Sequence, residues 1–176
     1  PGERAVLHGG PRITGWKPVG AGVYAAEVSK GLVFHQVVEN GRAGRKARHP
    51  NTGYLHVAEG IPQLDAKGEP IRHKLWGITM STRECIYREG DLPPGSLDGA
   101  EVYLWAGFDW FANVLPIGSV DREKRRISLA APALVPIVIR TERRYFFQNI
   151  REALDAPGEF FLDRAAGRLY CKPYQE

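Results

Sequence analysis

The chain has 176 residues, of which 43% are hydrophobic, so it has the length of a single domain and enough apolar side chains for a sizeable core. Lysine and arginine number 24 against 20 aspartate and glutamate residues, and the basic clusters lack any zinc-finger, RNP-like or helix-turn-helix pattern, so solvated turns are favoured over a nucleic-acid partner. No apolar run is long enough to cross a bilayer, no membrane partner is expected, and the start at Pro1 without a leader indicates a processed or excised piece.

The predicted secondary structure consists of short strands, because glycine and proline recur at short intervals between β-branched and aromatic runs. In chain order, the predicted strands cover residues 4–8, 22–28, 32–39, 42–47, 53–57, 76–80, 83–87, 100–106, 110–117, 126–129 and 144–147, and a closing hairpin of residues 159–163 and 168–172. Asn40-Gly41 is a strong type I′ turn signal, so it should fold the strand before it onto the strand after it.

Helical character is confined to QNIREALD, residues 148–155, with Asn149 as the predicted N-cap and Pro157 as the residue that ends the helix. We therefore predict one all-β domain over residues 1–176. Its predicted fold class is a β-sandwich or distorted barrel of mostly antiparallel strands, with one short helix near 149–155.

The closing segment GEFFLDRAAGRLYCKP, residues 158–173, contains two carboxylates, Glu159 and Asp163, that suggest an acid/base pair. Residues four apart on one strand are separated by about 13 Å. Glycosidase carboxylates lie about 5 to 5.5 Å apart in retaining enzymes and about 6.5 to 9.5 Å apart in inverting ones. Asp163 can instead open a type I turn, and Gly167 can take the positive φ that ends such a loop, so we interpret this segment as a hairpin corner.

Cys85 and Cys171 are the only thiols, and they show no CxxC spacing, so neither a metal site nor a redox motif is indicated. They form either a disulfide, if the domain is exported, or two free buried thiols. The five histidines show no HxH or HExxH spacing, so we predict no metal site. No Walker loop or dinucleotide motif is present, and we predict no cofactor.

The most aromatic segment is EVYLWAGFDWFANVLPI, residues 101–117. On a continuous strand, the even-numbered residues from 102 to 110 would face one side and the odd-numbered residues from 103 to 111 the other. Both faces are apolar. The segment is therefore predicted either to bulge at Ala106-Gly107 or to be buried on two sides.

A carbohydrate site needs exposed aromatic rings, which cover the C–H faces of pyranoses, beside polar groups that bond the hydroxyls. The candidate binding residues are Trp76, Tyr103, Trp105, Asp109 and Trp110. The opposing interpretation is that the tryptophans, including Trp16, are core residues and that Asp109 is a surface-loop carboxylate. Asp109 with Glu101 or Asp91 would be the acidic pair of an enzyme, but we assign no catalytic residue.

Three stretches resemble an arrangement found in a family of glycoside hydrolases. They are GERAVLHGGPRITGWKPVGAGVYAAEV (2–28), FHQVVENGRAGRKARHPN (34–51) and RYFFQNIREALDAPGEFFLDRAAGRLYCKP (144–173). They are similar to segments of the β-sandwich-like insertion domain in right-handed parallel β-helix glycoside hydrolases of the family 141 type. The chain departs from that pattern at Phe160 and Phe161, where Trp and Tyr are usual, and at Cys171, where an aromatic residue is usual.

The resemblance implies structural roles for the matched positions. It assigns a hairpin turn, a strand exit and a closing corner, formed respectively by Asn40 and Gly41, by Arg48, Pro50 and Asn51, and by Asp155, Pro157, Gly158, Glu159, Asp163 and Gly167. The middle of the chain, about 58–143, matches only loosely, so no binding specificity is carried over.

The resemblance implies a non-catalytic accessory domain of an exported bacterial carbohydrate-active enzyme, whose catalytic carboxylates lie on the rungs of a β-helix outside this chain. Such a domain would pack on the β-helix domain of its parent, shape the substrate cleft and contact a polysaccharide or oligosaccharide, in a secreted or periplasmic protein. Two alternatives stay open: a freestanding carbohydrate-binding module, and a purely structural or oligomerisation domain with its aromatic residues buried.

Overall fold

The computed structural model describes residues 9–137 and 143–174. Its strands are β1 (Lys17–Gly20), β2 (Val23–Glu27), β3 (Val38–Glu39), β4 (Arg42–Ala43), β5 (Arg45–Lys46), β6 (Arg48–His49), β7 (Leu55–His56), β8 (Glu59–Pro62), β9 (Met80–Ile86), β10 (Glu101–Leu104), β11 (Asn113–Asp121), β12 (Arg126–Leu129), β13 (Arg144–Gln148), β14 (Glu159–Asp163) and β15 (Arg168–Lys172). Helical structure in these ranges is one 3-10 turn, Arg151–Ala153, and no described helix is long and apolar enough to span a bilayer.

Most strands belong to two sheets. The five-stranded sheet has the order β1-β2-β15-β14-β5, in which β5 runs parallel to β14 and the other pairs are antiparallel. The eight-stranded sheet is antiparallel and has the order β6-β13-β10-β11-β12-β9-β8, with β7 also paired to β13. The prediction of a mostly antiparallel all-β fold is confirmed, and the described strands close no barrel.

Both predicted hairpins are confirmed. Strands β14 and β15 pair along their whole length, and the Asp163 carboxylate accepts a 2.8 Å hydrogen bond from the backbone N–H of Ala166. Gly167 has a φ of 70°, as the turn requires. Strands β3 and β4 form a separate hairpin, in which Asn40 and Gly41 have φ values of 50° and 80°, the left-handed conformation of a type I′ turn.

Two predicted strands are not observed as predicted, and a third lies outside the described residues. Of the predicted strand 32–39, only Val38–Glu39 is paired, because the preceding residues cross one face of the five-stranded sheet and pack their apolar side chains on it. The predicted strand 76–80 is a turn that ends where β9 begins, since Gly77 has a φ of 62°. The predicted strand 4–8 lies outside the described residues.

The largest core lies against one face of the eight-stranded sheet. Val102 and Leu104 on β10 and Tyr145 and Phe147 on β13 are all at most 3% exposed and belong to this core. The strand residues between them therefore point to the opposite face of the sheet. The bulge predicted at Ala106-Gly107 does not form, because β10 ends at Leu104.

A buried polar network joins the two sheets. Lys46 on β5 donates a 2.6 Å hydrogen bond to the Glu101 carboxylate on β10, and both side chains are only 3% exposed. Gln148 on β13 donates to the same oxygen at 2.8 Å, and Arg164 from the β14–β15 turn donates to the other oxygen at 2.6 Å. The Glu101 carboxylate therefore links the two sheets, because it accepts hydrogen bonds from side chains of both.

Asn149 forms a second link between the sheets. Its amide nitrogen donates to the carbonyl oxygens of Gly99 and Leu162 at 3.0 and 3.1 Å, and its amide oxygen accepts the Leu162 N–H at 2.9 Å. The residue before the 3-10 turn is Ile150, which makes no side-chain cap. The prediction that Asn149 is an N-cap is therefore wrong, because its side chain satisfies the backbone of β14 and of the loop before β10 instead.

The two cysteines are free, so the disulfide alternative is wrong. Cys85 on β9 is buried in the large core, whereas Cys171 lies on β15 of the other sheet. Burial raises the pKa of Cys85 to about 12, and burial together with the nearby Glu39 raises the pKa of Cys171 to about 11. Both thiols are therefore protonated at neutral pH.

We expect both cysteines to react slowly with a thiol reagent such as DTNB in the folded chain, because the thiolate is the reactive form. In denaturant and without any reductant, the reagent should titrate both thiols of the chain. The measurement is the absorbance of the released thionitrobenzoate before and after unfolding. A chain that releases it only after reduction would contradict the free-thiol structure.

Candidate functional site

An exposed aromatic patch is formed by Trp76, Phe108, Trp110 and Phe111, from the loops before β9 and after β10. Trp110 is 77% exposed and Trp76 is 41% exposed. The Trp110 ring stacks on Phe108 with a centroid distance of 5.1 Å and an interplanar angle of 24°, and Phe111 meets it edge-on at 4.8 Å. Phe108 also contacts Trp76 edge-on at 5.1 Å. Neighbouring rings therefore hold Trp110 while most of its surface faces solvent.

The loop that carries Trp110 is fixed to the core. Phe108 and Phe111 pack against the large core cluster, and a Cβ at Gly107 would lie 2.3 Å from a methyl carbon of Val135. Only glycine allows so close an approach without displacement of Val135. Asp109 is exposed and lies between Phe108 and Trp110 in the sequence. Its carboxylate therefore directly precedes the exposed Trp110 ring in the chain.

An arginine–aromatic cluster covers the opposite face of the eight-stranded sheet from the core. It consists of Arg48, Tyr54, Tyr103, Trp105, Arg144 and Phe146. Tyr103 on β10 and Phe146 on β13 are cross-strand partners, and their rings stack at 4.8 Å with an interplanar angle of 14°. The ring centroid of Trp105 lies 4.8 Å from that of Tyr103 and 5.3 Å from that of Tyr54, which it meets edge-on.

Two guanidinium groups lie on the rings of this cluster. The Arg48 Cζ is 3.7 Å from the centroid of Phe146, and its guanidinium donates hydrogen bonds of 2.8 and 2.6 Å to two backbone carbonyls. The Arg144 Cζ is 4.5 Å from the centroid of Trp105 and 5.0 Å from that of Tyr54. Both groups lie within the range of cation–π attraction. Burial lowers the pKa of Arg48, and Tyr54 opposes that shift.

The predicted binding residues lie on two surfaces. Trp76 and Trp110 belong to the exposed aromatic patch, with Asp109 beside them, whereas Tyr103 and Trp105 are half-buried in the arginine–aromatic cluster. Sequence reasoning missed the other members of both groups, which are Arg48, Tyr54, Phe108, Phe111, Arg144 and Phe146. Strand alternation in 144–147 was the available signal, because it places residues 144 and 146 on one face.

The carboxylates considered for catalysis make structural contacts. Glu101 is enclosed by its network, and Asp91 accepts a 2.8 Å hydrogen bond from the Tyr145 hydroxyl. Glu159 is fully buried, accepts backbone N–H bonds and pairs with Arg45 at 3.2 Å. Burial raises the pKa of Glu159, and these partners oppose the shift. Glu101 and Glu159 are therefore not accessible acids, and the half-buried Asp91 is held by the Tyr145 hydroxyl.

Two cavities lie away from both aromatic surfaces. A groove of about 1080 Å³ is lined mainly by residues 9–40 together with Cys171 and Pro173, and a pocket of about 420 Å³ lies beside the closing corner, next to Arg151, Arg164 and Tyr170. Neither is lined by a predicted binding residue. In the described parts of the chain, no group of three or more His, Cys, Asp and Glu side chains is arranged to hold a metal ion.

A search of solved structures found a protein described as "Glycoside hydrolase" that has a similar fold, with a TM-score of 0.61 and 20% sequence identity. The match covers 95% of this chain and 29% of that protein, so this chain spans much less than the length of its structural neighbour. At this identity the likeness shows the fold. No protein-family model matches the chain, and a search of curated proteins found no match.

Proposed function

We propose that this chain is a non-catalytic accessory domain of a carbohydrate-active β-helix enzyme, in which it shapes the substrate cleft and contacts polysaccharide. The observation that carries the proposal is that its fold, over 95% of its length, corresponds to 29% of a glycoside hydrolase chain. A domain that matches a minor part of such a protein fits an accessory role. The three stretches that resemble family 141 support the finer proposal that residues 1–176 are a single domain inserted into the β-helix of the parent.

The exposed aromatic patch supplies the surface for the polysaccharide. Trp110 offers a largely exposed ring, and a ring held by Phe108 loses little conformational freedom when a sugar stacks on it. The exposed Asp109 can accept hydrogen bonds from sugar hydroxyls. Such a small contact gives an affinity in the millimolar to micromolar range, about 4 to 8 kcal/mol.

The proposed domain acts without hydrolysing the glycan. Glu101, Asp91 and Glu159 are engaged in structural contacts, so the accessible acid and base of the reaction would come from the β-helix domain of the parent. We place the parent among secreted or periplasmic bacterial proteins, because polymeric glycans are met outside the cytoplasm. Its partners are then a polysaccharide or oligosaccharide and that β-helix domain.

Trp110→Ala should weaken polysaccharide binding about tenfold, since it removes the exposed stacking ring. It should change the free energy of unfolding by less than about 1 kcal/mol, because Trp110 is 77% exposed. The measurement is affinity electrophoresis of the chain in gels that contain xylan, pectin, fucosylated glycan or a cellulose derivative.

The matched control is Val19→Ala, which truncates another exposed apolar residue, 50% exposed on β1 and outside the aromatic patch. In gels that contain a neutral polysaccharide, Val19→Ala should be retarded like the wild type, whereas Trp110→Ala should be retarded clearly less. Absence of retardation of the wild type in every gel would contradict glycan contact and favour a purely structural role. Equal retardation of both variants would remove the aromatic patch as the binding surface.

A further inference from the structure

We propose that the arginine–aromatic cluster binds glycans that carry carboxylate groups, and that the Arg144 guanidinium recognises the carboxylate of a uronic acid. This inference rests on the proposed function, because it names the class of glycan that the domain contacts. It adds a second contact, through a surface that shares no residue with the exposed aromatic patch. The cluster is formed by Arg48, Tyr54, Tyr103, Trp105, Arg144 and Phe146.

The guanidinium groups of the cluster have no direct carboxylate partner within the described residues, and only the charge of Glu159 acts favourably on Arg48 from a carboxylate at longer range. Neither Arg48 nor Arg144 forms an ion pair with a described carboxylate. Arg48 donates to the backbone carbonyls of Pro50 and Gly53. Arg144 has a buried Nε without a hydrogen-bond partner in the described structure, as do Arg126 and Arg164, but those two guanidinium groups pair with glutamates. A half-buried cation with an unsatisfied N–H is an unfavourable arrangement, and an anionic ligand would relieve it.

Four other arginines on or next to the strands are paired with glutamate. The pairs are Arg45 with Glu159 at 3.2 Å, Arg126 with Glu84 at 3.6 Å, Arg164 with Glu101 at 2.6 Å and Arg168 with Glu27 at 2.7 Å. Against this pattern, Arg144 lies on two ring faces and has no carboxylate partner among the described residues. Arg42 and Arg83 also lack a described carboxylate partner, but both are exposed to water. Arg144 is half-buried with an unsatisfied Nε, which points to an anion supplied from outside the chain.

The geometry of the cluster fits a sugar that bears a carboxylate. A planar guanidinium binds a carboxylate through two parallel N–H bonds, which an ammonium group cannot do. Tyr54 is 45% exposed, and the Cζ atoms of Arg48 and Arg144 lie 5.9 and 5.0 Å from its centroid. An exposed ring is thus flanked by two cations, so one pyranose can stack on the ring while its carboxylate reaches a guanidinium. A neutral glycan offers hydroxyl acceptors but no charge to pair with the guanidinium.

The test is calorimetric titration of the chain with tetragalacturonate, with its methyl ester and with a neutral galactose tetramer. The wild type should bind tetragalacturonate at least about tenfold more tightly than the methyl ester, because esterification removes the charge that Arg144 recognises. Arg144→Gln should weaken tetragalacturonate binding about tenfold to a hundredfold, which corresponds to the loss of hydrogen bonds to a charged group. Arg144→Lys should recover only part of that loss, since it keeps the charge but not the planar fork.

The matched control is Arg42→Gln, because Arg42 also stacks on an aromatic ring, 3.9 Å from the centroid of Tyr174, outside the cluster. It removes the same charge and should leave tetragalacturonate binding unchanged. An equal loss in Arg42→Gln and Arg144→Gln would show attraction to net positive charge and overturn the proposal. Equal binding of the acid and its methyl ester would overturn it as well. Thermal melting of each variant verifies that it is folded.

Two further outcomes separate this inference from the proposed function. If the wild type is retarded by neutral polysaccharide through Trp110 but does not bind tetragalacturonate, the inference fails and the proposed function stands. If the wild type binds no glycan of either kind, both fail.

Discussion

Replacing Glu101 with glutamine should destabilise the chain by about 3 to 5 kcal/mol, the range observed when one partner of a buried ion pair is removed. The side chains of Lys46 and Glu101 are each 3% exposed, and they meet at 2.6 Å. Glutamine leaves the Lys46 ammonium buried without a counter-charge. Arg164 loses its carboxylate too, but its side chain is 32% exposed and water can solvate it in part. The measurement is the free energy of unfolding in urea.

The control for this prediction is the double variant Lys46→Met/Glu101→Gln. It removes the orphaned charge, so it should be more stable than Glu101→Gln alone. The loss in the double variant minus the losses in Lys46→Met and Glu101→Gln gives the coupling between the two residues. Additive losses in the two single variants and the double variant would contradict a coupled buried pair. They would also show that the polar network does not hold the two sheets together.

The pH dependence of stability tests the same carboxylate. Burial by itself raises the pKa of Glu101, but the hydrogen bonds from Lys46 and Gln148 and the charges of Lys46 and Arg164 outweigh it, so the pKa lies below its ordinary value. A group with a lowered folded-state pKa stabilises the fold above its unfolded pKa, about 4.3 for glutamate. That stabilisation is lost as the pH falls through the folded-state pKa. Unfolding free energy measured from pH 6 downward should therefore decline more steeply below about pH 4 in the wild type than in Glu101→Gln. Identical slopes would contradict a lowered pKa.

Asn149→Ala should destabilise the chain by about 3 to 5 kcal/mol, through the sum of two effects. The side chain is 1% exposed and makes three hydrogen bonds, so alanine leaves the Leu162 N–H and the carbonyls of Leu162 and Gly99 without these partners. The backbone φ of 58° is left-handed, which asparagine tolerates better than alanine does. Urea unfolding of the purified variant measures the loss.

Asn149→Gly separates the two effects, since glycine accepts the left-handed φ but restores no hydrogen bond. We expect Asn149→Gly to be destabilised less than Asn149→Ala by about 1 kcal/mol and still to be clearly less stable than the wild type. A glycine variant as stable as the wild type would show that the three hydrogen bonds contribute nothing. The link between β14 and the larger sheet would then depend on packing alone.

Local sequence signals predicted the two hairpin turns, because the conformation of a turn depends on a few neighbouring residues. Asn40-Gly41 and the Asp163–Gly167 corner are turns whose φ values and side-chain bonds depend on neighbouring residues, and both formed as predicted. Asn149 was misassigned because its helix-like context is local, whereas its three hydrogen bonds reach residues 13 and 50 positions away. The strand predicted at 32–39 failed for a related reason, because tertiary packing over the five-stranded sheet replaced pairing for most of its residues.

The candidate site could be predicted only in part. The run of aromatic residues in 101–117 identified Trp105 and Trp110, but alternation alone could not show that they belong to different surfaces. The arginine–aromatic cluster could not be predicted, because Arg48 and Arg144 both reach the Tyr54 ring only through the pairing of β13 with β6 and β7. Those contacts join segments about a hundred residues apart, and no motif records them.

Saturation-transfer difference NMR tests most directly whether the exposed rings contact sugar. The intact chain would be mixed with neutral xylan-derived oligosaccharides, and the aromatic ring protons of the protein would be saturated. We predict transfer to the C–H protons of a bound sugar, lost in Trp110→Ala and kept in Val19→Ala, because the Trp110 ring is 77% exposed on its patch. No transfer to any oligosaccharide, or equal transfer in Trp110→Ala, would contradict glycan contact through the exposed aromatic patch.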